Sequence, residues 1–122
     1  MPQPLTVIAD HNASYENPIA FEAGDVVTLS GRTDLWDGHR WLWARAADGR
    51  EGWIPDDVTE TRDGEAVALK DYDAQELTCR LGEVLTGLSS THGWTWCRNA
   101  AGDCGWVPAR KLAAEKPPPP IP

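Results

Sequence analysis

Residues 41–55 read WLWARAADGREGWIP, and residues 94–108 read WTWCRNAAGDCGWVP. Set 53 positions apart, the two stretches share three Trp, one Arg, one Ala, two Gly and the closing Pro. Self-similarity at this length marks a duplicated structural unit. Upstream, Phe21, Gly24, Asp25 and Val26 parallel Cys79, Gly82, Glu83 and Val84 at an offset of 58. Earlier still, Asp10-His11-Asn12-Ala13 parallels Asp71-Tyr72-Asp73-Ala74 at an offset of 61. The offset changes in two steps only, as expected where strands keep their length and the loops between them vary.

The local signals are those of strands. Val26-Val27-Thr28-Leu29 and Glu83-Val84-Leu85-Thr86 are short, β-prone and bounded by Gly. In each Trp-x-Trp segment, alternation puts the two Trp on one face and Leu42/Ala44 or Thr95/Cys97 on the other. Ala47-Asp48-Gly49 and Ala100-Ala101-Gly102 read as hairpin turns. The core set is then Phe21, Ala44 and Ile54 in one copy and Cys79, Cys97 and Val107 in the other. Nothing supports a helix longer than one turn. The expected architecture is all-β: a five-stranded barrel over 5–60, a second with shortened loops over 65–114, and a proline-rich tail over 115–122. The connector Thr61-Arg62-Asp63-Gly64 is too short to let the halves tumble freely.

Composition removes several classes of function. The chain has 122 residues and 13.4 kDa, with 11 basic and 19 acidic residues, a net charge of −8 and a pI near 4.7. That balance argues against a nucleic-acid partner, which needs clustered positive charge. No apolar run reaches the roughly 18 residues that span a bilayer, so no membrane partner is expected. The first residues lack the basic-then-apolar pattern of a signal peptide, and a cytoplasmic chain is expected. The odd, sparse set Cys79, Cys97 and Cys104 then reads as reduced thiols. Cys97 and Cys104 fall on opposite strand faces, which argues against a disulfide. His11, His39 and His92 show no metal-ligand spacing, and no metal or cofactor is expected. The polar run Ser89-Ser90-Thr91-His92 has no acidic partner nearby in sequence, and no phosphate loop or catalytic constellation is present. The expectation is a protein that is not an enzyme. Seven Trp against two Tyr and one Phe point instead to recognition, because Trp suits half-buried binding surfaces.

With these motifs in order, the sequence resembles the Src-homology-3 (SH3) domains. Residues 68–74, ALKDYDA, are close to the family's ALYDY signature, and residues 76–83, ELTCRLGE, resemble the segment that follows it. Both copies add the Trp strand and the Gly-aromatic-[Ile/Val]-Pro ending. The trimmed loops look most like the bacterial variant SH3 domains.

The resemblance implies a non-catalytic binding module. In the family, aromatic side chains form shallow grooves for a polyproline II peptide, which loses little entropy on docking because it is already extended. Carried over position by position, the implied peptide-binding residues of the first copy are His11, Glu16, Trp41, Trp53 and Pro55. Those of the second are Tyr72, Glu76, Trp94, Trp106 and Pro108. The sequence departs from the family at four tyrosine positions, which hold Ala9, Lys70, Val58 and Lys111. The usual acidic position of the first copy is Pro18, with Glu16 nearby.

Charge is unequal between the copies. Residues 7–60 hold eleven acids and four bases, whereas residues 66–114 hold five of each. An acidic first copy favours a basic or amine-bearing partner. Lys116, Pro119 and Pro122 fit the basic-x-x-Pro-x-x-Pro pattern that the family reads, so the chain's own tail is a candidate ligand, in cis or in trans. Two other functions fit the same residues. One is a structural accessory whose barrels pack inside a larger assembly. The other is a Tudor-like reader, in which Trp walls hold a cationic side chain.

Overall fold

The computed structural model describes residues 2–14, 17–36 and 38–114. Twelve short strands carry the described chain. In the first half they are β1 (Gln3–Val7), β2 (Ala20–Phe21), β3 (Val26–Trp36), β4 (His39–Arg45), β5 (Glu51–Pro55) and β6 (Thr59–Arg62). In the second they are β7 (Glu65–Ala68), β8 (Tyr72–Asp73), β9 (Val84–Thr91), β10 (Trp94–Arg98), β11 (Cys104–Pro108) and β12 (Leu112–Ala114). A single 3₁₀ turn, Ala109–Lys111, separates the last two strands. No helix among the described residues is long and apolar enough to cross a membrane.

The strands form two five-stranded sheets and a two-stranded ribbon. One sheet runs β5-β4-β3-β7-β6, the other runs β11-β10-β9-β1-β12, and β2 pairs with β8. The all-β expectation holds, but each sheet takes one strand from the other half of the chain. The first strand of the chain, β1, lies between β9 and β12, with Leu5 opposite both Leu85 and Ala114. Its counterpart β7 lies between β3 and β6, with Val67 opposite Val26 and Glu60. The stretches 5–60 and 65–114 therefore delimit the sequence repeats, and neither sheet is made from one stretch alone.

The connector supplies the physical reason. Asp63 and Gly64 have φ of 51° and 83°, the two left-handed residues of a tight hairpin turn. A two-residue turn holds β7 beside β6 in antiparallel register, so β7 fills a sheet position in the first half, and β1 fills the matching place beyond it. Short hinge loops promote this kind of exchange.

Closed barrels, the sequence expectation, are not what forms. Among the described residues β5 makes no ladder with β6, and β11 makes none with β12, so both sheets are open. At each end the chain turns out of the ladder, at Asp56–Asp57–Val58 and at Ala109–Lys111. The free edge of β11 is met instead by residues 75–77. The Trp106 N–H donates to the Gln75 carbonyl at 2.9 Å, and the Leu77 N–H donates to the Trp106 carbonyl at 3.0 Å. Gly105 permits this approach, since a Cβ there would lie 2.6 Å from the Leu77 nitrogen.

Two apolar clusters sit under the sheets, and both are shared between the repeats. Ile19, Phe21, Val27, Ala44, Ile54 and Val58 pack with Ala68 and Tyr72. Leu77, Cys79, Leu85, Cys97 and Val107 pack with Val7. Phe21, Ala44, Ile54, Cys79, Cys97 and Val107 are all buried, as strand alternation predicts. Full burial of an Ile or Val contributes about 1.5–3 kcal/mol, so these positions hold the sheets together.

The ribbon shows the exchange most clearly. Phe21 and Cys79 are equivalent repeat positions, as are His11 and Tyr72. In the fold Phe21 pairs with Tyr72, and His11 bridges to Cys79. Each large ring is thus placed opposite its partner from the other half.

Candidate functional site

Trp41 in β4 pairs with Pro55, and Trp94 at the start of β10 pairs with Pro108. Across the same hairpins Trp43 faces Trp53 and Trp96 faces Trp106, each with ring centroids 5.2 Å apart in edge-to-face contact. The repeated Trp-x-Trp and Gly-Trp segments therefore build two similar aromatic ladders. Because the strands are exchanged, Tyr72 and Trp106 pack against the first half's core, and the ladders meet.

A cavity of about 120 Å³ lies at that meeting. Trp36, Trp41 and Trp53 wall it from the first half, and Tyr72, Trp94 and Trp106 from the second. Glu51, Glu76, Ser14 and Thr91 add polar groups to an otherwise apolar lining. Of the ten residues implied by the resemblance, Trp41, Trp53, Tyr72, Glu76, Trp94 and Trp106 come together here. Glu16 lies outside the described residues, as do Lys116, Pro119 and Pro122.

Three of the ten occupy other places. Pro55 and Pro108 are fully buried, because each ends a strand beneath its paired Trp, and neither lines the cavity. His11 stands behind the wall, edge-on to Trp94 at 5.7 Å. Its Nε2 lies 2.8 Å from Glu76 Oε1, and the Lys111 ammonium lies 3.0 Å from its Nδ1. Burial holds the His11 imidazole below its ordinary pKa, against the pull of the Glu76 hydrogen bond. With Ser14 Oγ donating at 3.1 Å, Glu76 is fixed from two sides at the cavity wall.

Trp41, an implied peptide contact, is covered rather than half-buried. Only 5% of its surface is exposed. Trp36 covers it at 5.3 Å, and His92 of the second repeat meets it edge-on at 5.5 Å. Its Nε1 is buried and finds no acceptor among the described residues. A buried donor left without a partner costs about 1–3 kcal/mol. By contrast, the Trp106 indole donates to the Asp73 carbonyl at 2.7 Å, and that of Trp36 to Asp34 Oδ2 at 2.9 Å.

A polar clasp closes one side of the junction. His92 opens a tight turn with φ of 50°, and its Nε2 lies 2.8 Å from Asp56 Oδ1 of the first repeat. Its Nδ1 lies 2.9 Å from Thr91 Oγ1, and the His39 ring packs on it at 5.1 Å. Sequence spacing gives the 89–92 loop no acidic neighbour, because Asp56 is 36 positions away. Asp56, Asp57 and His92 each bring a ligand-capable atom within 4.8 Å of the others. That grouping likewise has no signature in the spacing.

Trp36 is the last residue of β3, in a β3–β4 hairpin longer than β9–β10, and has no counterpart in the second repeat. It nonetheless touches both Trp41 and Trp53, the latter at 5.5 Å. All three cysteines are free thiols, with Cys79 and Cys97 buried. Burial pushes the Cys97 thiol up to about 11 and raises that of Cys79 as well.

Residues 6–61 match the family model of the variant SH3 domain, and the match does not extend over the second repeat. Neither the curated proteins nor the solved structures gave a match. A variant SH3 domain is thus found at 6–61, a type that generally serves as a non-catalytic protein-interaction module. The matched stretch begins at the end of β1, which in the fold lies in the other sheet.

Proposed function

We propose that the chain is a non-catalytic adaptor that binds an extended, proline-rich or basic peptide through its paired Trp ladders. The carrying observation is the aromatic cavity walled by six rings drawn from both repeats. Apolar rings suit proline, and Glu51 and Glu76 suit a Lys or Arg beside it. The excess of acids over residues 7–60 speeds the approach of a basic partner. Three unpaired thiols fit a cytoplasmic setting. Lys116, Pro119 and Pro122 make the chain's own tail one ligand of this kind, in cis or from a second copy.

The Tudor-like reading is less well supported. A cation already sits over Trp43 and Trp53, namely the Arg32 guanidinium at 5.2 and 5.5 Å. The accessory reading draws on the burial of Trp41 against His92, which joins the halves.

Titration with three peptide pools, followed by Trp fluorescence and indole NMR shifts, separates the three. The adaptor reading expects shifts with proline-rich basic peptides, and little with basic peptides lacking Pro or with methyl-lysine peptides. A response to methyl-lysine alone would establish the cage, and no response to any pool would leave the accessory role.

A further inference from the structure

We infer that the two repeats make one binding site rather than two, and that it takes a single proline-containing peptide with an adjacent Lys or Arg per chain. The inference rests on the peptide-binding reading above and fixes its stoichiometry and its architecture. Two independent grooves would place the Trp41 set and the Trp94 set on separate surfaces. Instead Trp41 and Trp53 share one cavity with Tyr72, Trp94 and Trp106.

The lining decides the number of occupants. Both repeats wall the same cavity, so a peptide seated against Trp41 and Trp53 also covers Trp94 and Trp106. The polar groups are also divided between the halves, since Glu51 comes from the first repeat and Glu76 from the second. One peptide that inserts a proline and presents a cation can use both. The walls hold a fixed spacing, because β1 and β7 are exchanged and His92 is bonded to Asp56. The site is therefore preorganised and needs no docking of one repeat on the other.

The test is calorimetry on the full chain with acetyl-Lys-Pro-Pro-Pro-Pro-Ile-Pro-amide, the sequence of residues 116–122, as the probe. One peptide per chain is expected. Trp53→Ala and Trp94→Ala truncate half-buried walls in different repeats, and each alone is expected to weaken binding at least about 30-fold. Circular dichroism confirms that both variants keep the fold. Two peptides per chain, or one site left at full affinity in either Ala variant, would overturn the shared site while leaving peptide binding intact. No binding of the probe, either to the full chain or to a variant with Lys116, Pro119 and Pro122 replaced by Ala so that its own tail cannot compete, would overturn the inference together with its occupant. In that case a response to another proline-rich pool would still uphold the adaptor reading.

Discussion

Phe21 and Tyr72 offer the sharpest energetic test of the exchanged fold. Their rings are 5.8 Å apart and they pair across the ribbon, although 51 positions separate them. In repeats that each kept their own strands, Phe21 would face His11 and Tyr72 would face Cys79, and the two rings would sit in different cores. We expect Phe21→Leu and Tyr72→Leu each to cost about 1–3 kcal/mol, as shape changes in a packed core do. An aromatic pair is worth about 0.5–1.5 kcal/mol beyond its buried area, so the double variant should lose about 1 kcal/mol less than the sum. A domain stable by about 5–15 kcal/mol tolerates these changes, so urea unfolding followed by circular dichroism can measure all four proteins. Phe21→Leu combined with Cys79→Ala is the control. Those two residues lie in separate clusters and should be additive. Additivity of Phe21 and Tyr72 within about 0.3 kcal/mol would refute the pairing and the exchange with it.

Further outcomes follow from single sites. Cys104 should react with a thiol reagent in the native protein well before Cys79 and Cys97, which are buried and have raised thiol pKa values; equal fast rates would contradict the strand register. Gly105→Ala would set a Cβ 2.7 Å from the Glu76 carbonyl carbon, against backbone that cannot easily yield. It should cost about 1–3 kcal/mol, and an unchanged melting temperature would mean that residues 75–77 do not lie on β11. His11 has a folded pKa below its unfolded value, chiefly through burial. The unfolded chain therefore binds more protons below about pH 6.5, so this contribution is full above that pH and is lost as pH falls through the folded pKa. His11→Gln should flatten that decline, and an identical pH profile in the variant would place the effect elsewhere.

The strands and cores were readable because they depend on local chemistry. The repeated Trp-x-Trp segments, the Gly-bounded Val runs and the small residues at Ala44 and Cys97 each specify a strand and its buried face. Strand partnership was less accessible. β1 and β7 are equivalent in the repeat, so either can fill either place without breaking the alternation, and only the short Asp63-Gly64 connector discriminates between them. The site suffered from the same ambiguity. Aromatic residues assigned to two grooves converge once Tyr72 joins the first core. Trp41 is covered because Trp36 packs on it from the end of β3, in a hairpin that is longer in this copy, and His92 finds Asp56 across a junction that no local pattern encodes. Pro55 and Pro108 were correct as repeat markers, but their burial makes them supports of the Trp strands.

The central claim is that the Trp walls of the two repeats meet in one place. A nuclear Overhauser experiment on the free protein tests it without any ligand. Trp41 and His92 lie 5.5 Å apart edge-to-face across the junction, and His11 and Trp94 lie 5.7 Å apart across the exchange. The account predicts cross-peaks between the rings of both pairs. Their absence from a folded, assigned protein would contradict the shared site.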